Sequence, residues 1–223
     1  MLSHWHGCPY GLVMMKTVVF MIGLLSVTTF VGAQNTVAED SGRATLLTPE
    51  ALGKTVYESI AKNRYPQIRA VSALSLDVKE MKTIADDIIK AIETKLKNGG
   101  FKNPEIGHTM LKSIHEDLGS PEGLAKQMKE LQLKELKFQK SLADVRAQAK
   151  AAGVDWTKAK YLSTDASNAK ADEDIPIRTG DLLIHFKAAG KEYRIKLDDC
   201  AKTPRWGWML GPDKLQLDTV KNK

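Results

Sequence analysis

Residues 177–210 hold the strongest constraint in the chain, in the stretch IRTGDLLIHFKAAGKEYRIKLDDCAKTPRWGWML. Leu182, Ile184 and Phe186 alternate with Asp181, Leu183, His185 and Lys187. After Ala188-Ala189-Gly190-Lys191, Tyr193, Ile195 and Leu197 alternate with Glu192, Arg194 and Lys196. Period two on both sides of a short Gly-bearing loop predicts an antiparallel hairpin with one face on a core and one face wet. A strand carrying Trp206 and Trp208 around Gly207 should follow, with both indoles on one face. Gly211-Pro212-Asp213 then turns the chain, and Leu215-Gln216-Leu217 supplies an edge strand. A half-buried sheet needs a layer to pack against, and the sequence upstream reads as helix.

Thr48-Pro49-Glu50 joins a capping hydroxyl, a proline at the first helical position and an acid favoured by the helix dipole. Leu52, Val56 and Ile60 follow as one apolar stripe, with a stop near Asn63 and a shorter helical piece through Ile68, Val71 and Leu74. From about Leu76 to Leu96, Val78, Met81, Ile84, Ala85, Ile88, Ile92 and Leu96 predict a core-facing helix, ended by Asn98-Gly99-Gly100. Asn103-Pro104-Glu105 opens a helix with Ile106, Met110, Leu111, Ile114 and Leu118 inside, and Gly119 closes it. Ser120-Pro121-Glu122 starts the next by the same chemistry. Leu131, Leu133, Leu136 and Phe138 exceed one stripe, so a kink or break is expected there. Ser141-Leu142-Ala143-Asp144 then resembles a capping box for a new helix ending at Gly153. Asp155-Trp156-Thr157-Lys158 reads as a turn, residues 160–163 as a first strand, and the polar, acidic residues 164–174 as a mobile loop. The expected fold class is α+β: N-terminal helices followed by a C-terminal antiparallel meander of three to five strands packed on helix.

The first part of the chain carries an address. Lys16 precedes an apolar run over residues 17–30, then the small residues Val31-Gly32-Ala33 and polar Gln34. This is the pattern of a secretory signal peptide cleaved after Ala33, and interior Ser, Thr and Gly make the run a poor membrane span. Residues 1–14, with His4, His6 and Cys8, read as a spurious extension rather than a metal site: either Met15 is the real start or these residues leave with the signal. The expected divisions are 1–33 signal, 34–47 flexible tether, 48–153 helical region, 154–217 antiparallel β region and 218–223 tail. Cleavage leaves Cys200 as the sole cysteine, a small buried hydrophobe rather than a nucleophile or disulfide partner. The expected location is periplasmic or extracellular.

Chemistry-bearing patterns are sparse. No phosphate loop, zinc spacing or nucleophile elbow occurs, so no catalytic residue, metal ligand or cofactor is assigned. His108 and His115 lie two helical turns apart, beyond the reach of one ion. Asp198-Asp199 lacks the surrounding oxygen donors that calcium takes. The net charge of +6 is dispersed among interleaved signs, as in Lys126-Gln127-Met128-Lys129-Glu130. Nucleic acid is therefore not expected, and a weak contact with an anionic envelope surface is the most the charge supports. Arg205, Trp206, Trp208 and Tyr193 are the candidate ligand contacts, because aromatics supply apolar area together with a donor.

Two end segments, LTPEALGKTVYESIAKNRYPQIRA and LLIHFKAAGKEYRIKLDDCAKTPRWGWML, resemble the first helices and the last strands of the nuclear transport factor 2-like, cystatin-like cone superfamily. The resemblance implies a curved sheet wrapped on helices, with residues 75–152 as a helical insertion. The phrases AAGVDWTKAKY, YRIKLDDC and GW also look like exported bacterial proteins of unassigned function. The expected function is an exported, non-enzymatic binding or interaction protein whose partner is another protein or a small apolar ligand. The alternatives are an isomerase or dehydratase of the cone type, drawing on His185, Tyr193, Tyr161 or Asp181, and a structural envelope protein that binds partners through its helices.

Overall fold

The computed structural model describes residues 46, 48–171, 178–203 and 205–219. The expected signal peptide, and the expected tether apart from Leu46, lie outside the described residues. Among the described residues, five α-helices lead into an antiparallel sheet.

Helix α1 (Pro49–Ala61) begins where Thr48 Oγ1 accepts from Ala51 N–H at 3.1 Å, and it buries Leu52, Val56, Tyr57 and Ile60. A left-handed Asn63 turns the chain into α2 (Tyr65–Ala70), which buries Ile68. Helix α3 (Val78–Lys97) opens on a complete capping box, Asp77 accepting from Glu80 N–H and Glu80 accepting from Asp77 N–H, and buries Met81, Ile84, Ala85, Ile88 and Ile92. Helix α4 (Pro104–Leu118) starts at Asn103 and buries Met110, Ile114 and Leu118. Ile106, expected inside, is exposed in the first turn of α4.

Helix α5 (Pro121–Ala151) runs unbroken for 31 residues, so the expected break near 131–138 and the new start at Ser141 are both corrected. Ser141 is no N-cap: its hydroxyl donates to Phe138 O within the helix at 2.8 Å and accepts from Leu215 N–H of the sheet at 3.3 Å. The surplus leucines divide between faces, Leu131 and Phe138 buried, Leu133 and Leu136 exposed. Both faces therefore carry apolar residues on one continuous helix, which is why the pattern mimics a break.

The sheet comprises β1 (Lys160–Asp165), β2 (Lys170–Ala171), β3 (Arg178–Ala188), β4 (Lys191–Thr203), β5 (Gly207–Met209) and β6 (Leu215–Thr219). It is four rows across: β1 and β2 share one side of β3, β4 lies on the other, and β5 and β6 share the far side of β4. Thr164, Asp165, Lys170 and Ala171, placed by sequence in a mobile loop, belong to strands. Thr164 is drawn into the body because its N–H donates to Glu50 of α1. The hairpin shows the expected alternation of faces, and its register sets Phe186 opposite Tyr193 and Ile184 opposite Ile195. Ala189 (φ 48°) and Gly190 (φ 78°) form its two-residue turn, the doubly left-handed geometry that matches strand twist.

Helices and sheet share one core. Leu182, Ile184, Phe186, Tyr193, Ile195 and Leu197 form a continuous buried cluster with the stripes of the helices. At its centre Trp156, Phe186 and Tyr193 stack with centroids 5.3 Å apart, and Tyr57 of α1 tilts against Phe186 at 5.6 Å. Two parallel bridges, Leu46 to Gly207 and Ser72 to Leu210, tie early chain to late chain.

Candidate functional site

The four residues expected at a ligand site occupy separate settings. Tyr193 is 1% exposed, stacked in the core, and its hydroxyl donates to Ala152 O at 3.1 Å. Trp208 is buried beneath the Arg178 guanidinium, 6.0 Å from the ring centroid, while its backbone N–H donates to Leu46 O at 2.7 Å. Trp206 is half-buried in the preceding turn, and the left-handed Gly207 (φ 67°) interrupts the alternation on which a shared indole face depends. Arg205 grips Asp87 of α3 through both Nε and Nη2, holding that carboxyl below its ordinary range. Packing accounts for Tyr193 and Trp208, and the ion pair for Arg205.

A groove of about 930 Å³ opens elsewhere, between the second half of α5 and the β4–β6 side of the sheet. Its floor is built by a β-bulge. Gly180 pairs with Cys200 and Leu182 with Leu197, so Asp181 alone on β3 faces both Asp198 and Asp199 on β4. Asp199 adopts φ 53°, a left-handed conformation that Asp tolerates better than most residues, and its N–H donates to Asp181 Oδ1 at 3.3 Å. The turn after β5 closes on this bulge because Gly211 has no side chain. A Cβ there would stand 2.3 Å from Asp199 O and 2.8 Å from Asp198 O. That approach brings the Asp213 carboxyl into hydrogen bonding with Asp199.

Charge is distributed unevenly over the site. Lys196 Nζ sits between Asp181 Oδ2 (2.8 Å) and Asp198 Oδ1 (2.7 Å), an arrangement that pushes its own pKa up. Asp199 faces chiefly other acids, Asp213, Asp181 and Asp198. Burial first, then the hydrogen bond and charge of Asp213, raise its pKa to about 7, so the Asp199 carboxyl takes up a proton near neutrality. From α5, half-buried Lys134 reaches toward Asp213 and Asp199, and burial lowers its pKa. Lys137 and Lys140 of α5 and Lys214 of the turn line the rim. Six aspartates and five lysines line the groove altogether, so its net charge is small and its surface strongly polar. Among the described residues no group of three or more His, Cys, Asp or Glu is arranged to hold a metal ion, and Lys196 stands where a cation bridging Asp181 and Asp198 would sit.

The residues weighed for cone-type catalysis do not converge. His185 pairs with Glu192 at 3.0 Å, Tyr161 bonds Glu50 and Thr164, and Tyr193 is internal; of the four only Asp181 lines the groove. The sequence reading passed over Lys134 and Asp213, which sit in a helix and a turn with no motif around them. The bulge that gathers the aspartates has no sequence signature beyond the consecutive acids of Asp198-Asp199. Cys200, at the bulge, is fully buried, and burial pushes its thiol pKa up, consistent with an inert packing role. No helix among the described residues is long and apolar enough to cross a membrane. Compared with family models, with curated proteins and with solved structures, the chain matches none.

Proposed function

We propose that this chain is a binding protein, and that its ligand is a small polar molecule carrying both charges, held in the groove between α5 and the bulged end of the hairpin. The observation that carries the reading is the groove itself: about 930 Å³, within the range of small-molecule sites, and lined by acids on the floor and lysines on the rim. A lining so dense in opposed charges disfavours an apolar ligand, which would strand desolvated charge, and disfavours a polyanion, which the floor repels. A thermal-shift titration with a Lys-Glu dipeptide against an uncharged disaccharide tests it. The dipeptide should raise Tm by roughly 5–10 °C at a hundredfold excess over its Kd, and Asp199→Asn should weaken binding by about tenfold. Equal responses to dipeptide and sugar, or binding indifferent to the substitution, would overturn the reading.

A second reading rests on Asp199 alone. A carboxyl that titrates near 7 beside a half-buried lysine is suited to general acid–base work. The Ser141 hydroxyl of the groove is held between Phe138 O and Leu215 N–H rather than freed for attack, which is why binding is preferred. Export belongs to the proposal and rests on residues 15–33 of the sequence; N-terminal sequencing of the secreted product should begin at Gln34. The likeness to the nuclear transport factor 2-like cone is likewise kept as a proposal, supported by the two end segments.

A further inference from the structure

We propose that the outer face of α5 docks onto an anionic lipid surface. The helix advances 100° per residue, which places Lys126, Lys129, Leu133, Leu136, Lys137 and Lys140 within roughly 100° of arc. Leu131, Phe138, Leu142, Val145 and Ala149 point the opposite way, into the core. Leu133 is 53% and Leu136 65% exposed, and all four lysines are exposed around them. Over residues 126–140 this arc holds no acid: Glu130 lies beside it, Glu135 is turned away to Arg69 and Tyr65, and the acids that bound it are Glu122, one turn before, and Asp144, one turn on and paired with Lys140.

Charge complementarity selects the occupant. A ring of lysines around two leucines matches a surface of negative headgroups over an apolar interior: the leucines enter the acyl boundary while the lysine stems lie along it and their ammonium groups stay at headgroup level. A protein partner of ordinary affinity needs a larger, shape-matched patch. This face is one convex helix carrying two large apolar side chains between flexible cations, which suits a fluid surface better than a fixed one. The continuity of α5 through 131–138 matters, because the break expected from the sequence would have divided the leucines from half of their lysines. Lys137 and Lys140 also line the groove rim, whereas Lys126, Lys129, Leu133 and Leu136 do not. Substitutions at those four positions therefore test the face without altering the groove lining.

The experiment is co-sedimentation of the full chain with vesicles of phosphatidylcholine alone and with 30% phosphatidylglycerol, using Lys126→Gln/Lys129→Gln and Leu133→Ser/Leu136→Ser variants that share the same N-terminal segment. Circular dichroism serves as the folding check, which these exposed positions should pass. Binding to the anionic vesicles should exceed that to neutral ones and weaken in 0.5 M salt. The lysine pair should cost roughly twentyfold in partitioning, and the leucine pair about tenfold. Equal binding to both vesicle types, or binding unaffected by either variant, overturns the proposal. So does tight capture of a polyglutamate peptide that ignores the leucine substitutions, which would assign the face to an acidic protein.

Discussion

Asp199 concentrates the unusual physics of this chain in one side chain. Its folded pKa of about 7 stands above the ordinary 3.8, so between those values the folded state holds a proton that the unfolded state has released. Stability linked to that proton is complete below about pH 4, declines as pH rises through the window to 7, and levels off above it. The loss should amount to about 1–2 kcal/mol, the full shift being discounted for the partial exposure of the carboxyl and the nearby cations Lys134 and Lys196. Asp181, Asp198 and Asp213 face the same carboxyl and act in the same direction. Asn fits a left-handed backbone and hydrogen-bonds Asp213 without ionising. Asp199→Asn should therefore be the more stable form at pH 8 and should flatten the urea midpoint between pH 4 and 7. A wild-type midpoint that rises over that interval, with the variant parallel to it, would show that Asp199 is not the titrating group. The two consecutive aspartates are visible in the sequence. What the sequence withheld is the bulge that turns Asp199 inward and the Gly211 contact that delivers Asp213, because both depend on register rather than on local pattern.

The elements were legible wherever a cap or a period governs them. Thr48, Asn103 and Ser120 open helices as hydroxyl or amide caps before proline, and both hairpin strands keep their period of two. The misreadings arose where one residue serves two neighbours. Thr164 looked like loop because it is polar, yet it is nine-tenths buried between Glu50, Tyr161 and Gly53. That seat sets how closely α1 lies on β1. A Cβ on Gly53 would stand 1.9 Å from Thr164 Oγ1 and 2.9 Å from its Cβ, with no room to yield without parting helix from strand. Gly53→Ala should destabilise by about 1–3 kcal/mol despite the better helix propensity of Ala. Thr164→Ala alone loses the hydroxyl contact with Tyr161, about 1 kcal/mol. Since the second change removes the atom that the first collides with, the double variant should be less destabilised than the sum of the two, by about 1 kcal/mol in a thermal-unfolding cycle. Additivity there would mean that the close approach does not limit the packing.

At the scale of the molecule, the expected division into a helical region and a β region describes chain order, whereas the packing is common to both. Buried side chains of all five helices and of the sheet join one cluster. Phe138 of α5 and Ile195 of β4 are both fully buried in it, although 57 positions separate them in the sequence. The Leu46–Gly207 and Ser72–Leu210 bridges and the Arg205–Asp87 pair close the chain's ends over that cluster. A shared core predicts one cooperative transition. In a chain beginning at Gln34, the remaining tryptophans, Trp156, Trp206 and Trp208, all report the sheet end, while ellipticity at 222 nm reports mainly the helices. The two signals should lose structure at the same urea concentration. Phe138→Ala should lower both midpoints together, at a cost of about 3–5 kcal/mol, because Phe138 belongs to the one core cluster that both halves share. Were the halves independent, the substitution would shift ellipticity and leave tryptophan fluorescence where it was. The coincidence also bears on the groove: four of its six aspartates, Asp181, Asp198, Asp199 and Asp218, come from the sheet and its rim lysines largely from α5, so a ligand bridging the two should raise both midpoints by the same amount.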